Sequence, residues 1–228
     1  MSYILLTGLL LGFAALTAGG AIRDGWVLMA AVPPAVAVVP ITGYLRGDTR
    51  RALISIAVLY LLGLALLPAI TLTFAGQAVP AGDLAYQTLL LLGLPLLASR
   101  PLRFLRRISE VRPTAVALSF FVLVFTIAGS TRAPLLANPS LVLPLSVLAF
   151  LRTFGLGVLV VSVSRRLRTS VEDQIGATTF VSFKNLGLAV VLAFSFFGAE
   201  AALPAVVCLV FEILWLGALP LLFRVKKR

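Results

Sequence analysis

The sequence predicts an all-α membrane protein of about eight transmembrane helices, with inverted-topology repeats and two crossing discontinuous helices. Three observations lead to this prediction. Of the 228 residues, 61% are hydrophobic, and apolar windows of about 18 residues, enough to span a bilayer as a helix, recur along the chain. Basic residues cluster after every second apolar stretch. Two of the stretches carry prolines or a lysine near their centres, where a helix is readily interrupted.

The apolar stretches define the predicted spans, which alternate in direction across the membrane. They are Tyr3–Ile22, Gly25–Leu45, Ala52–Phe74, Leu84–Ser99, Pro113–Ser130, Leu141–Ser164, Gln174–Phe197 and Ala201–Phe223. The outer connections are predicted to be Arg23–Asp24, Ala75–Asp83, Thr131–Ser140 and Gly198–Glu200. The whole chain, residues 1–228, is predicted to form a single transmembrane domain.

The net charge of +11 comes mainly from four basic clusters between or after the spans. The clusters are Arg46, Arg50 and Arg51; Arg100, Arg103, Arg106, Arg107 and Arg112; Arg165, Arg166 and Arg168; and Arg224, Lys226, Lys227 and Arg228. Their alternation follows the positive-inside rule, which predicts a multi-pass protein of the cell (inner) membrane with both termini cytoplasmic. The partner of this charge is expected to be the lipid bilayer and not nucleic acid. Two conformations of Arg100–Arg112 are compatible with the sequence: a short helix on the inner surface and an ordinary basic loop.

The second span contains Pro33, Pro34 and Pro40. Proline cannot donate the helical hydrogen bond, and its ring clashes with the preceding turn. The span is therefore predicted to be interrupted near its centre. All three prolines are candidate substrate- or ion-binding residues, chiefly because they shape the backbone there.

The seventh span carries Lys184 and Asn185 near its middle, followed by a helix-breaking glycine. A charge at this depth costs several kcal/mol unless it has partners, so Lys184 is predicted to have a transport role, with simple packing against polar neighbours as the alternative. Asn185, Ser182 and Thr179 are further candidates for binding a substrate or ion. The hydroxyls have the alternative of bonding back to their own helix.

Short motifs recur after the two interrupted spans. A glycine turn, an Ala-Leu helix start and a Leu-Gly…Leu-Pro exit follow each, at 47–53 with 62–68 and at 198–203 with 216–220. Two spans lie between these three-span units, so the units would insert with opposite topology. The predicted repeats cover about residues 3–76 and 141–224, with panel-like connecting helices at 84–130.

Three ionisable residues lie at similar depth within the spans: Arg152, Lys184 and Glu212. Intramembrane charges face the protein interior and find partners, so Glu212 is predicted to pair with Arg152 or Lys184. One positive charge is left over. It either attracts an anionic substrate, exchanges protons as a buried lysine can, or serves structure alone.

These residues give the chain a resemblance to the bile acid:sodium symporter family. Lys184–Ala189 and Phe197–Pro204 resemble that family's second crossover helix, and Val32–Pro34 with Tyr44–Asp48 resembles its first. Leu151–Gly155 is similar to a further family motif. The resemblance implies a core bundle with two crossing discontinuous helices, a panel bundle that rocks against it, and secondary transport of organic anions.

The chain departs from that family in two respects. Typical members have ten spans and eight are predicted here, so the first two panel helices are expected to be missing. The family's sodium ligands include a Glu and a Gln where this chain has Phe180 and Lys184, and a hydroxyl-rich face where it has Ala57–Leu59. Sodium binding is therefore doubtful, and Lys184 is expected to replace the cation. Proton coupling stays open.

Other functions are disfavoured or left as alternatives. No nucleophile–base pair is readable and the chain has no histidine, so no enzyme, cofactor or metal is expected. A non-transporting or partner-dependent membrane scaffold, and an ion/proton antiporter of related fold, are the alternatives. A homo-oligomer is also open.

Overall fold

The computed structural model describes residues 2–17, 19–76, 79–102 and 106–223, and all regular structure in these ranges is helical. The α-helices are α1 (Thr7–Leu16), α2 (Gly20–Ala31), α3 (Val38–Tyr44), α4 (Thr49–Ala75), α5 (Ala81–Thr88), α6 (Leu94–Leu102), α7 (Arg106–Ala137), α8 (Val142–Phe150), α9 (Leu156–Arg166), α10 (Val171–Ser182), α11 (Leu186–Phe197) and α12 (Leu203–Leu222). Single π-helical turns precede or join some of them at Ser2–Leu6, Leu89–Gly93 and Leu151–Gly155, and 3-10 turns lie at Pro139–Leu141 and Ala199–Ala202.

Five helices of the described part are long and apolar enough to cross a bilayer. They are Thr49–Ala75, Ala81–Ala98, Ala117–Ala137, Pro139–Arg166 and Ala199–Leu222. The predicted all-α membrane class is therefore supported, and five of the eight predicted spans correspond to these helices. The other three correspond to the shorter apolar helix Ser2–Leu16 and to two helix pairs, α2 with α3 and α10 with α11.

The first outer connection was predicted in the wrong place. Helix α1 ends at Leu16 and α2 already begins at Gly20. Gly19 and Gly20 have φ of 91° and 75°, which glycine adopts without steric cost, so the chain reverses there. The charged residues that suggested a loop lie inside α2, where the guanidinium of Arg23 donates to the carbonyl of Phe74 at 2.7 Å.

Two further connections are mostly helical. Helix α7 continues to Ala137, so most of the predicted outer loop Thr131–Ser140 is helical. The described part of Arg100–Arg112 is helical, because α6 runs to Leu102 and α7 begins at Arg106. Residues 103–105, which include Arg103, and residues 224–228, which hold the last basic cluster, lie outside the described residues.

Helix α2 lies at the centre of the bundle and packs against α1, α4, α11 and α12. Every residue from Trp26 to Val32 is at most 1% exposed. Helix α2 ends at Ala31 because the next helical hydrogen bonds would need N–H donors at positions 33 and 34. Both positions are proline, which has no backbone N–H. The chain resumes as a helix at Val38.

Candidate functional site

Both predicted interruptions are present, and they contact each other. Helix α10 stops at Ser182 and α11 starts at Leu186. The residues between them form an isolated antiparallel bridge with the break after α2, pairing Pro34 with Lys184. Asn185 N–H donates to the Pro33 carbonyl at 3.0 Å, and the N–H of Ala35 donates to the carbonyl of Phe183 at 3.3 Å. We call the contact between the two breaks, residues 32–37 and 183–185, the crossing. It pairs backbone groups that the breaks would otherwise leave without hydrogen bonds in an apolar interior.

The Lys184 side chain extends from the break between α10 and α11 to the carbonyl end of α2. Its Nζ atom lies 2.7 Å from the carbonyl oxygen of Val32 and 2.9 Å from that of Ala30. The third neighbour is Thr7 Oγ1 at 3.2 Å, and the ring centroid of Tyr3 lies 4.8 Å away. Lys184 is 1% exposed. Three acceptors surround the nitrogen, which matches the three N–H groups of an ammonium ion.

The buried ammonium sits at the carbonyl end of α2. The last carbonyls of a helix lack intrahelical donors and carry the negative end of the helix dipole. The position therefore compensates the positive charge of Lys184 without a carboxylate partner.

A second buried contact joins Arg152 and Glu212. A guanidinium nitrogen of Arg152 lies 2.6 Å from Oε1 of Glu212, and the two side chains are 0% and 8% exposed. The same Oε1 accepts a hydrogen bond from the backbone N–H of Lys184 at 3.1 Å. Glu212 is thus paired with Arg152, one of its two predicted partners, and it meets Lys184 only through the backbone.

Asn185 ties the crossing to α4. Its Oδ1 accepts from the N–H of Leu188 at 3.1 Å, which makes it the N-cap of α11. Its Nδ2 donates to the hydroxyl of Tyr60 at 3.0 Å.

Replacing Asn185 with alanine removes both of these hydrogen bonds. We expect the free energy of unfolding to fall by about 1–3 kcal/mol, since an N-cap alone is worth about 1 kcal/mol. Thermal unfolding of the purified protein in detergent measures the change. Tyr60→Phe is the matched control, because it removes only the second bond and should cost less. Equal losses in the two variants would contradict the capping role.

The remaining predicted site residues lie away from the bridge or contribute backbone only. The hydroxyl of Thr179 bonds back to Ile175 and Gly176 at 3.0 Å each and lies 3.3 Å from that of Thr42. Ser182 is fully buried, and its hydroxyl has no hydrogen-bond partner within the described part of the chain.

The three prolines differ in position. Pro33 and Pro34 form the first break, whereas Pro40 lies in the first turn of α3, where a missing N–H is tolerated.

Three cavities are lined by residues of the crossing or of the helices that continue from it. The crossing cavity, ≈ 270 Å³, is lined by both breaks together with residues of α7 and α12. The α3–α12 cavity, ≈ 580 Å³, shares Ile41, Ile213 and Leu216 with it, so the two adjoin. The α5–α11 cavity, ≈ 560 Å³, is lined by residues of both helices, among them Gln87 and Val191.

Sequence reasoning did not select Thr7, Tyr3 or Tyr60 as site residues. The available signal was their polarity within otherwise apolar helices. No group of three or more His, Cys, Asp or Glu residues placed to hold a metal ion occurs among the described residues.

Comparison with known proteins does not assign the chain to a family. No protein-family model matches it, and no curated protein matches it significantly. The geometry of the crossing is therefore the basis for assigning a function.

Proposed function

We propose that the chain is a secondary active transporter of small organic anions, similar in plan to bile acid:sodium symporters. The observation that carries the proposal is the Pro34–Lys184 bridge between two interrupted helices. Irregular backbone at membrane depth is tolerated only where protein buries it or where it lines a cavity. Secondary transporters build their binding sites from such discontinuous helices.

The order of helices supports an inverted repeat. One apolar helix, one interrupted pair and one long helix occur in that order as Ser2–Leu16, α2 with α3, and α4. The same order returns in Pro139–Arg166, α10 with α11, and Ala199–Leu222. On this proposal α5–α7 form the panel, the interrupted pairs complete eight crossings, and both termini lie on the cytoplasmic side.

The cavities support alternating access. The crossing cavity includes Gly187 and the α5–α11 cavity includes Val191, so their linings on α11 are four positions apart, about 6 Å along the helix axis. A small rotation of α11 and its neighbours against α5 and α7 would close one cavity and open the other.

The buried charges and the cavity size favour a small anion as substrate. In the described part of the chain the buried charged side chains are Arg152, Lys184 and Glu212, which sum to +1. The crossing cavity also lies at the start of α11, the positive end of that helix dipole. Its ≈ 270 Å³ is close to the lower limit of about 300 Å³ for ligand pockets, which suits a small anion.

We predict transport that does not require sodium. The Lys184 ammonium already occupies the carbonyl end of α2, and at about 4 Å it would repel a second cation by about 4 kcal/mol at an effective dielectric of 20. Purified protein in liposomes preloaded with unlabelled lactate, citrate or taurocholate should accumulate the labelled anion by counterflow. The rate should be equal in sodium and choline buffers, and the small anions should be preferred.

Lys184→Gln is the test variant and Arg50→Gln the matched control, since Arg50 loses the same charge at an exposed position on α4. The first should lose counterflow and the second should retain it. No counterflow of any anion by folded protein would contradict transport and favour a scaffold. A steep sodium requirement would contradict the role of Lys184, and counterflow coupled only to protons would favour the antiporter.

A further inference from the structure

Lys184 lies between α10 and α11, and the oxygens that surround its ammonium group come from other parts of the chain. Val32 O and Ala30 O lie 2.7 and 2.9 Å from Nζ; Ala30 is in the last turn of α2 and Val32 is its C-cap. Thr7 Oγ1, at 3.2 Å, belongs to α1, and the Tyr3 ring covers the nitrogen from the turn before α1.

These acceptors are free for a cation because of the local sequence. In a continuous helix, the N–H of residue 34 would donate to the carbonyl of Ala30, but residue 34 is a proline and has no N–H. The hydroxyl of Thr7 donates to the Ala30 carbonyl at 2.8 Å, which leaves the lone pairs of Thr7 Oγ1 available to accept. The Thr7 and Ala30 oxygens are therefore held beside each other by a hydrogen bond that does not involve the lysine.

The geometry suits an ammonium group better than a divalent metal ion. The separations of 2.7–3.2 Å are hydrogen-bond lengths, longer than the metal–oxygen distances of about 2.0–2.6 Å for Mg²⁺ and Ca²⁺. Three acceptors match the three donors of a primary ammonium, and an aromatic face beside it adds a cation–π contact.

We infer that Thr7, the carbonyl oxygens of Ala30 and Val32, and the ring of Tyr3 form a binding site for a primary ammonium ion. Lys184 is its tethered occupant, and a free alkylammonium binds there when the lysine side chain is removed. None of these four groups is at a position where the family resemblance implies a sodium ligand. The inference goes beyond the proposed function: it is tested by the effect of amines on thermal unfolding and holds whether or not the chain transports an anion.

Chemical rescue of Lys184→Ala tests the site. Alanine keeps Cβ, so the missing fragment is three carbons and an ammonium, which n-propylammonium supplies. In detergent, Lys184→Ala should unfold at a lower temperature than the unmodified protein, and n-propylammonium chloride should restore about half of the loss or more. Tetramethylammonium chloride at equal concentration has no N–H and should restore none. The unmodified protein should respond equally to both salts.

Two further variants keep the test decisive. Lys184→Met fills the space with a neutral chain, so it should be less stable than the unmodified protein and insensitive to amine. In Lys184→Ala with Thr7→Val, one acceptor is missing and the rise with n-propylammonium should be smaller than in the single variant. Equal effects of the two salts on Lys184→Ala would overturn the inference. So would a Lys184→Met variant as stable as the native chain, which can be measured even if the alanine variant does not fold.

Discussion

Glu212→Gln is expected to lower the free energy of unfolding by about 3–5 kcal/mol, the usual cost of breaking a buried ion pair from one side. Arg152 is completely buried, and its guanidinium lies 2.6 Å from the Glu212 carboxylate. The amide leaves that positive charge uncompensated. It also weakens the hydrogen bond from the Lys184 backbone N–H, so the crossing should loosen. Equilibrium unfolding in detergent, followed by tryptophan fluorescence, measures the loss.

The control is the double variant Arg152→Met with Glu212→Gln. It contains no unpaired buried charge at this position, so it should be more stable than either single variant. The coupling free energy from the double-mutant cycle reports the pair itself. Additive losses in the two single variants would show that Arg152 and Glu212 do not act as a pair.

The sequence located both breaks because their causes are local. Pro33 and Pro34 remove helical donors wherever they lie, and Lys184 followed by Asn185 and Gly187 marks a polar, flexible point in an apolar stretch. That the two breaks bond to each other depends on the packing of α2 against α11, which no single stretch of sequence contains.

For the buried charges, the sequence narrows the partner of Glu212 to two residues but does not decide between them. Depth along the spans placed Arg152 and Lys184 equally near Glu212, because depth fixes the position along a helix axis and not the rotation about it. In the structure Arg152 pairs with the carboxylate, whereas the Lys184 side chain points to the end of α2. The partners of Lys184 are mainly backbone carbonyls, and sequence carries little signal for those.

The misplaced first connection has a similar cause. Two adjacent charged residues, Arg23 and Asp24, suggested a loop between apolar stretches. A long arginine side chain can instead remain in a helix and reach a polar group at its edge, as Arg23 does with the last turn of α4. The chain reverses at Gly19 and Gly20 instead, whose positive φ angles carry no charge or hydropathy signal.

Glycines in the helices also differ in ways that spacing does not reveal. Gly12 lies in the middle of α1, and a Cβ built on it meets nothing within 4 Å. The sequence marks Gly25 only as the first residue of a predicted span. A Cβ built there would overlap the carbonyl oxygen of Ala201 and lie 3.3 Å from the ring of Pro204. Close packing of α2 against the turn before α12 therefore depends on this glycine.

Gly25→Ala is accordingly expected to destabilise the protein by about 3 kcal/mol, the upper end of the usual range for overpacking. The added methyl meets backbone, which cannot move aside as a flexible side chain can, so α2 must shift away from Ala201. Because the last residues of α2 supply the carbonyls that hold Lys184, the shift should also reduce anion counterflow.

Gly12→Ala is the matched control for this prediction, with the same added methyl on neighbouring helix α1. It should be neutral or stabilising by about 0.5–1 kcal/mol, since alanine restricts the unfolded chain and favours a helix. Thermal unfolding and counterflow are measured on both variants under the same conditions. The opposite signs of the two effects separate steric overlap from helix propensity. A Gly25→Ala protein as stable as the Gly12→Ala protein would show that α2 does not pack against Ala201 this closely.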